Sequence, residues 1–358
     1  MKDVNEGKEV NMDRFLQALR DQGVSAALLE DILAFRMRYQ VDGKLQARLT
    51  APALPYYGRE TFEMAASALI QGENILLTGT KATEKNVLAE NLAWMFGRPF
   101  WNISFHVNMD SSALIGTDTF RNNEVQLRTG PVYDCALGGG FGIFDEINMA
   151  KNDAVSVLHA TLDYRRILDV PGYEKIRLHD ATRFIGTMNY GYAGTRELNE
   201  ALVSRFLVIE MPPVTEDALH YVLTETFPDF TQEGLRQICG LFLDLQTKAN
   251  NNEISTKPLD LRGLIGALKT VRAGLAPRLA VQRPSQFIRK LLYIPRNPIA
   301  VVLKMDLIFL RIPPGVHILR IFQHSVFQNS LRKIQAAVCV RTAAEPQILL
   351  FLLPLRQI

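Results

Sequence analysis

The sequence has few cysteines, no long apolar run and no apolar leader. Its 358 residues include three cysteines, Cys135, Cys239 and Cys339, with no C-x-x-C pair, which favours a reducing, cytoplasmic setting over a disulfide framework. No run of 18 apolar residues is present, so the sequence predicts no membrane span. The opening MKDVNEGKEV lacks the apolar segment of a signal peptide. With 47% hydrophobic and 22% charged residues, the composition is that of a globular protein.

Acidic residues are nearly missing from one part of the chain. Residues 276–358 carry 12 basic and two acidic residues and eight of the 17 prolines. Residues 1–275 carry 28 basic and 35 acidic residues, a net charge of −7. Because nucleic-acid affinity rests on cationic contacts to phosphates, this balance argues against a motor on DNA or RNA.

Short apolar runs alternate with helical patterns from Asn74 onward. The runs predict five strands, at 74–78, 100–103, 141–144, 183–187 and 206–209. Such alternation predicts an α/β fold with a parallel sheet covered on both faces and a ligand site at the strands' C-terminal ends. Helices are predicted within 10–40, 59–70, 215–250 and 259–271, and hairpins within 108–131 and 165–182.

The stretch from Asn74 to Phe96 has the pattern of a polyphosphate-binding loop between a strand and a helix. In the pattern G-x-x-x-x-G-K-[ST], loop N–H groups and the helix N-terminus surround the phosphates, and the lysine reaches the outer ones. Its positions hold Gly79, Thr80, Lys81, Ala82, Thr83, Glu84, Lys85 and Asn86. Glu84 replaces the second glycine and Asn86 the hydroxyl residue. Taken alone, this match favours an ordinary strand, turn and helix.

Polar residues lie at the ends of the later strands. Asp145 can hold a magnesium ion, and Glu146 can deprotonate an attacking water. Asn189 suits a hydrogen bond to that water or to the γ-phosphate. Arg205 suits projection into a neighbouring subunit's phosphate site. The structural alternatives are an acidic pair at a helix start, a turn asparagine and a surface arginine.

Together these segments resemble an AAA+ ATPase of the dynein-related, MoxR-like kind over residues 10–275. The resemblance is carried by GTKATEKN (79–86), GGFGIFDEINMA (139–150), FIGTMN (184–189), GTRELNEALVSRF (194–206) and LDLRGL (259–264). It implies a P-loop NTPase core with a five-stranded parallel sheet, an incomplete helical lid, and the cofactors ATP and Mg²⁺. The resemblance also implies a homo-oligomeric, hexameric ring, a von Willebrand factor A-domain partner protein and a protein client. The hairpins match the helix-2 insert and the pre-sensor hairpin.

The resemblance implies a role for each matched residue. Loop residues 79–86 bind the phosphates, with Lys85 as the phosphate-binding lysine. Asp145, together with Asn86, holds magnesium, and Glu146 is the catalytic glutamate. Asn189 is the polar sensor. In the same scheme, Arg205 is the arginine finger acting in trans and Arg262 is a second sensor on the lid.

The matched segments predict four parts of the chain. These are an N-terminal helical segment (1–50), a nucleotide-binding α/β domain (51–212), a helical lid (213–282) and an atypical basic tail (283–358). We expect the tail to be a translation from a shifted reading frame that replaces the end of the lid. The alternative is a basic region that binds nucleic acid or anionic lipid.

Glu84 is the main departure from the family pattern, because it adds negative charge beside the phosphates. Two unit charges about 4 Å apart repel by about 4 kcal/mol at an effective dielectric near 20. Two functional hypotheses follow from the resemblance and this departure from it. The first is an ATP-hydrolysing ring subunit that remodels or activates a partner protein. The alternative is a catalytically weakened or inactive nucleotide-binding subunit with a structural role in the ring.

Overall fold

The structure, a computed structural model, describes residues 2–80, 83–121, 123–189, 198–251 and 261–274, and three short segments nearer the C-terminus. It consists of two compact units, residues 1–266 and 267–358. The predictions for Lys81, Ala82 and most of the tail lie outside the described residues. Among those that are described, no helix is both long and apolar enough to cross a bilayer.

A five-stranded parallel sheet forms the centre of the first unit. The strands of this unit are β1 (Ile75–Gly79), β2 (Phe100–Ser104), β3 (Gly116–Arg121), β4 (Glu124–Thr129), β5 (Phe141–Asp145), β6 (Ile167–Leu168), β7 (Ile176–Arg177), β8 (Arg183–Asn189) and β9 (Leu207–Glu210). The central sheet has the order β2-β5-β8-β1-β9, and all its neighbours are parallel. The predicted fold class is confirmed, and the fourth predicted strand extends through Asn189.

Helices precede, flank and follow this sheet. They are α1 (Lys2–Asp21), α2 (Ala26–Arg38), α3 (Arg59–Gln71), α4 (Lys85–Met95), α5 (Ser111–Ile115), α6 (Pro131–Gly138), α7 (Asn152–Val155), α8 (His159–Leu162), α9 (Glu200–Val203), α10 (Glu216–Thr226), α11 (Gln232–Asn250) and α12 (Leu261–Arg272). The helical structure predicted within 215–250 consists of two helices, because the chain turns between α10 and α11 around Pro228. Gly72 ends α3 with φ +97°, a conformation that glycine adopts without strain.

The two faces of the sheet pack into separate apolar clusters. Alternate strand residues divide between them: Ile75 and Ile143 lie in one cluster, and Leu76 and Phe144 in the other. The first cluster also takes in Phe15 of α1, so the N-terminal helices are packed against the same core as the sheet. The sheet is thereby covered on both sides and held rigid behind its strand ends.

The two turn-rich stretches form hairpins, as the sequence predicts. β3 pairs with β4 and β6 pairs with β7, both antiparallel. The hydroxyl of Tyr173, in the loop between β6 and β7, donates a 2.7 Å hydrogen bond to Oδ1 of Asp118 in β3. This bond joins the two hairpins to each other.

In the second unit, the described strands form a small antiparallel sheet. They are β10 (Val316–Ile318), β11 (Ala337–Thr342) and β12 (Glu345–Leu352), in that order. All three belong to the stretch for which the sequence predicts a shifted reading frame, and that prediction stays a prediction.

Buried arginines hold the C-terminal ends of several helices. Arg98 is 1% exposed. Its Nε donates a 2.7 Å hydrogen bond to the carbonyl of Gly139, the residue that ends α6. Its Nη1 donates a hydrogen bond to the carbonyl of Tyr39, the residue that ends α2. Arg183 donates from Nε to the carbonyl of Leu69 in the last turn of α3. Burial lowers the pKa of both guanidinium groups to about 10, so both stay charged at neutral pH. Each cation donates to carbonyls at the C-terminal end of a helix and faces the negative end of the helix dipole. The carbonyl of Leu69 also accepts the backbone N–H of Gly72.

We predict that Arg98→Met lowers the free energy of unfolding by about 3 kcal/mol, because the buried carbonyl of Gly139 and the half-buried carbonyl of Tyr39 lose this donor. Denaturant unfolding at neutral pH measures the loss. Arg177→Met, at an exposed position in β7, is the matched control and should change stability by less than about 0.5 kcal/mol. Equal effects of the two substitutions would show that the carbonyl contacts contribute nothing.

Candidate functional site

The strand register brings the predicted site residues to one edge of the sheet. In the parallel ladder between β1 and β8, Gly79 lies opposite Asn189. Asp145 is the last residue of β5, which pairs with β8 on the other side. The C-terminal ends of β1, β8 and β5 are therefore adjacent, as the alternation of strands and helices predicts.

The loop after β1 folds around the ammonium group of Lys85. Gly79 has φ +156°, and a Cβ there would lie 3.1 Å from Oγ1 of Thr83 and 3.3 Å from Met211, so the first loop position requires glycine. Lys85 begins α4 and is buried, and its Nζ donates to the carbonyls of Gly79 (3.2 Å) and Thr80 (2.8 Å) and to Oγ1 of Thr83 (2.9 Å). Burial lowers the pKa of Lys85 to about 8, and the charges of Asp145 and Glu146 oppose this shift. Those two carboxylates therefore lie close enough to act on the lysine.

Glu84 is the residue immediately before α4, and its backbone has the left-handed conformation, with φ +56° and ψ +24°. A glutamate in this region costs of order 1 kcal/mol or more, whereas glycine adopts it freely. The side chain makes no capping hydrogen bond to the helix. Burial raises the pKa of Glu84 from 4.5 to about 7. The carboxyl is thus uncharged for much of the time near neutral pH, which the sequence alone does not reveal.

Asp145 is held by hydrogen bonds from two directions. Nδ2 of Asn86 on α4 donates to its Oδ1 at 3.0 Å, and Oγ1 of Thr187 on β8 donates to the same oxygen at 2.9 Å. The amide nitrogen of Asn86 is thereby committed to the carboxylate. Its amide oxygen is the atom left for a cation, beside Asp145. The two residues predicted as magnesium ligands lie together.

Glu146 adjoins Asp145 and is hydrogen-bonded to Asn189, the predicted sensor. Nδ2 of Asn189 donates to Oε1 of Glu146 at 3.0 Å, and the backbone N–H of Glu146 donates to Oγ1 of Thr187 at 3.1 Å. Glu146 has φ +54°, an uncommon conformation for a glutamate and one that clusters at functional sites. Asn148, 2% exposed, donates from Nδ2 to the carbonyl of Asn189 at 2.9 Å. The residue predicted as the catalytic glutamate and the residue predicted as its sensor are therefore hydrogen-bonded to each other.

Arg205 is not brought to this cluster within its own chain. Its Nε donates to the carbonyl of His159 at 3.1 Å, its Nη1 donates to the carbonyl of Ala201, and its Nη2 lies 3.7 Å from Oδ2 of Asp163. The side chain is 22% exposed. An arginine that acts on a neighbouring subunit belongs away from its own phosphate loop, so this position is compatible with the predicted role in trans.

Arg262 is exposed at the start of α12. Its charge acts on Glu90, five residues after Lys85 in α4. Burial raises the pKa of the Glu90 carboxyl, and both a hydrogen bond with Asn102 and the charge of Arg262 oppose that rise. The predicted second sensor therefore lies beside the helix that follows the loop. Its contact with a γ-phosphate stays a prediction.

The residues present fit a nucleoside triphosphate with a magnesium ion. A lysine ammonium and the N-terminal N–H groups of α4 are donors for phosphate oxygens. The oxygens of Asp145 and Asn86, held together, are the hard ligands that Mg²⁺ prefers. Glu84 lies in the loop itself, where a negative charge would repel a phosphate. Its raised pKa reduces that charge near neutral pH and so weakens the repulsion. Asp145 and Asn86 would hold the ion, and Lys85 the outer phosphates.

The sequence is similar to known proteins. The sequence profile of the AAA domain (dynein-related subfamily) matches residues 74–206. The uncharacterized protein YojN of Bacillus subtilis is 34% identical over 224 residues, 61% of this chain and 73% of its own length. The uncharacterized protein SERP0979 of Staphylococcus epidermidis is 33% identical over 228 residues, 62% and 86% of the two lengths. The chain belongs to the dynein-related subfamily of AAA domains. It is thus an AAA+ protein, from a family of nucleotide-binding ATPases.

Among solved structures, a protein from Cytophaga hutchinsonii aligns with this AAA domain at 17% identity over 67% of each chain, with a TM-score of 0.39. A similarity at that level adds nothing to the assignment, which rests on the profile match and the curated relatives.

Two residues of this AAA domain's site are missing from the sequence-based prediction, Thr187 and Asn148. Thr187 stands two residues before Asn189 on β8, so strand periodicity alone places both on one face of the sheet. Asn148 follows the acidic pair by two residues. The periodicity was the available signal for Thr187. The contact of Asn148 with the next strand depends on a short helical turn (Ile147–Met149) that the sequence does not specify.

We predict that Glu84→Gln removes a pH dependence of stability. Because the folded-state pKa of Glu84 lies above its unfolded value, the wild-type chain loses stability as the pH rises from about 4.5 to about 7, by at most about 3 kcal/mol. Denaturant unfolding at pH 5 and pH 8 without nucleotide should show this loss in the wild type only. Glu84→Gly should in addition gain about 1 kcal/mol at both pH values, because the positive φ no longer costs energy.

Glu60→Gln, at an exposed glutamate in the first turn of α3, is the control and should leave the wild-type pH dependence intact. A Glu84→Gln chain with the same pH dependence as the wild type would contradict the raised pKa. No gain for Glu84→Gly over Glu84→Gln would contradict the strain.

Proposed function

We propose that this chain binds Mg-ATP at the loop after β1 and hydrolyses it. The observation that carries the proposal is the 3.0 Å hydrogen bond from Nδ2 of Asn189 to Oε1 of Glu146. The charges of Glu146 and Asp145 also act on the ammonium group of Lys85. Lys85 and the N–H groups at the start of α4 would hold the outer phosphates. Asp145 and Asn86 would hold the magnesium ion, which supplies charge neutralisation of the phosphates when bound.

Glu146 is the residue that would act on the attacking water. Its Oε1 accepts the hydrogen bond from Asn189, and its carboxylate would orient the water and accept the water's proton. Asn189 would fix the glutamate without adding charge near the phosphates. Lys85 and the guanidinium of Arg205 from a neighbouring subunit would stabilise the negative charge that spreads over the transferring phosphoryl group.

The finer proposal is a hexameric, MoxR-like ring that remodels or activates a protein client with a von Willebrand factor A-domain partner. Arg205 lies away from its own loop, which supports action across a subunit boundary. The hydrogen bond between Tyr173 and Asp118 joins the two hairpins, which supports their movement as one element. Arg262, beside Glu90 on α4, would connect the state of the loop to the lid.

A second function is favoured by Glu84, namely a nucleotide-binding subunit without turnover that serves as structure in the ring. Its support is the left-handed conformation and burial of a carboxyl at the loop position where the pattern has glycine. Both proposals share the nucleotide site and differ in whether Glu146 completes the reaction.

We predict that Glu146→Gln lowers the rate of phosphate release at least about 100-fold while ATP binding is retained, because the amide cannot take the water's proton. Phosphate release and ATP affinity are measured in parallel. Glu30→Gln, at an exposed position on α2, is the matched control. Wild-type binding without any phosphate release would favour the second function, and equal rates for wild type and Glu146→Gln would contradict the role of Glu146.

We predict that mixing Glu146→Gln and Arg205→Ala subunits restores activity that neither has alone. A subunit with an intact acidic pair then receives its arginine from a neighbour, and random mixing yields about a quarter of the wild-type rate at equal amounts. The phosphate release of the mixture is compared with that of each variant at the same total concentration. A mixture that only averages the two variants would contradict the action of Arg205 in trans.

A further inference from the structure

The hydroxyl of Thr187 lies between the two carboxylate residues of the site. It is within 2.9 Å of Oδ1 of Asp145 and 3.1 Å of the backbone nitrogen of Glu146. Thr187 is 1% exposed, so solvent does not compete for either bond. One buried oxygen thus contacts both members of the acidic pair.

The direction of each bond is fixed by the number of hydrogens. The backbone nitrogen of Glu146 can only donate, so the threonine oxygen accepts there. The single hydroxyl hydrogen is then available for Oδ1 of Asp145, which as a carboxylate accepts. A side chain that only donates or only accepts cannot make both bonds.

The position of Thr187 is set by the sheet. It lies within β8, where it is paired with Leu77 of β1, and Asn189 follows two residues later on the same face. The strand therefore contacts Asp145 through Thr187 and Glu146 through Asn189, at a spacing that the backbone fixes.

We propose that Thr187 is a positioning residue that holds Asp145 in place for the magnesium ion and fixes the turn at Glu146. The proposal rests on the proposed function of the site, and it assigns the buried hydroxyl a role in cation binding separate from that of the phosphate loop. Loss of the hydroxyl removes one hydrogen bond from the Asp145 side chain and one from the Glu146 N–H, while Lys85 and the loop keep their own contacts.

The test compares ATP affinity with Mg²⁺ and with EDTA. For the wild type, we expect ATP to bind more tightly with Mg²⁺ than with EDTA. Thr187→Val, which keeps the shape and removes the hydroxyl, reduces that Mg²⁺-dependent gain about tenfold and leaves the affinity in EDTA within about twofold. Thr187→Ser restores the gain because it returns the hydroxyl. Thr187→Ala is the second hydroxyl-free variant, measured alongside in case the valine chain does not fold.

Thr182→Val is the matched control. Thr182 is fully buried, immediately before β8, and its hydroxyl donates to the carbonyl of Ala136 at 3.1 Å, at the opposite end of the strand. This control should keep the wild-type gain, and thermal unfolding is recorded for every variant.

The inference is overturned if the folded hydroxyl-free variants keep the Mg²⁺-dependent gain, if they lose affinity equally in Mg²⁺ and EDTA, or if serine fails to restore it. Absence of any Mg²⁺-dependent gain in the wild type would overturn both this inference and the proposed function. The two failures are therefore distinguished by whether the wild type or only the variants behave unexpectedly.

Discussion

Parallel pairing of β1 with β8, in the register that sets Gly79 opposite Asn189, is the constraint on which the site depends. Gly79 and Asn189, which belong to the predicted phosphate loop and the predicted sensor, are 110 residues apart in sequence, and this ladder brings them side by side. Pairing of β5 with β8 then adds the acidic couple. A shift of one residue in either ladder would move Thr187 and Asn189 to the other face of the sheet. The apolar clusters on both faces oppose such a shift, because it would move Ile185 and Phe184 out of the clusters in which they are packed and into the opposite ones.

Because the strands of the sheet are parallel, the two ends of the sheet differ in their electrostatic surroundings. Helix α4 points its N-terminus at the site, where its partial positive charge suits an anion. The C-terminal ends of α2, α3 and α6 are instead met by Arg98 and Arg183, whose guanidinium groups donate to backbone carbonyls. Both arginines remain protonated at neutral pH, even though burial lowers their pKa to about 10. Burial of an arginine is tolerated here because several carbonyl dipoles replace the water that it loses.

The sequence predicts the elements of this fold well where apolar periodicity is strong. The five sheet strands, the start of α4 at Lys85 and both hairpins follow from local pattern, since each depends on residues close together in the chain. The clustering of Lys85 with Asp145 and of Glu146 with Asn189 follows from the rule that parallel strands end at one edge. Three sets of contacts could not be predicted, because each joins atoms whose distance is set by tertiary packing. They are the two hydrogen bonds of Thr187, the hydrogen bond from Asn148 to the Asn189 carbonyl, and the contacts of the buried arginines. The pKa of Glu84 belongs to the same class, since burial determines it.

Glu84 shows how such a tertiary property alters a conclusion drawn from sequence. A permanently charged carboxylate about 4 Å from a phosphate would oppose binding by about 4 kcal/mol. A titratable group, however, cannot oppose an anion by more than the free energy needed to protonate it, which is about 1.4 kcal/mol for each pH unit above its pKa. With a pKa of about 7, that limit is close to zero at pH 7 and reaches about 1.4 kcal/mol at pH 8. The charge of Glu84 is therefore a small obstacle to a nucleotide at neutral pH. The larger effect of the residue is on the backbone, because its positive φ persists whether or not the carboxyl is ionised.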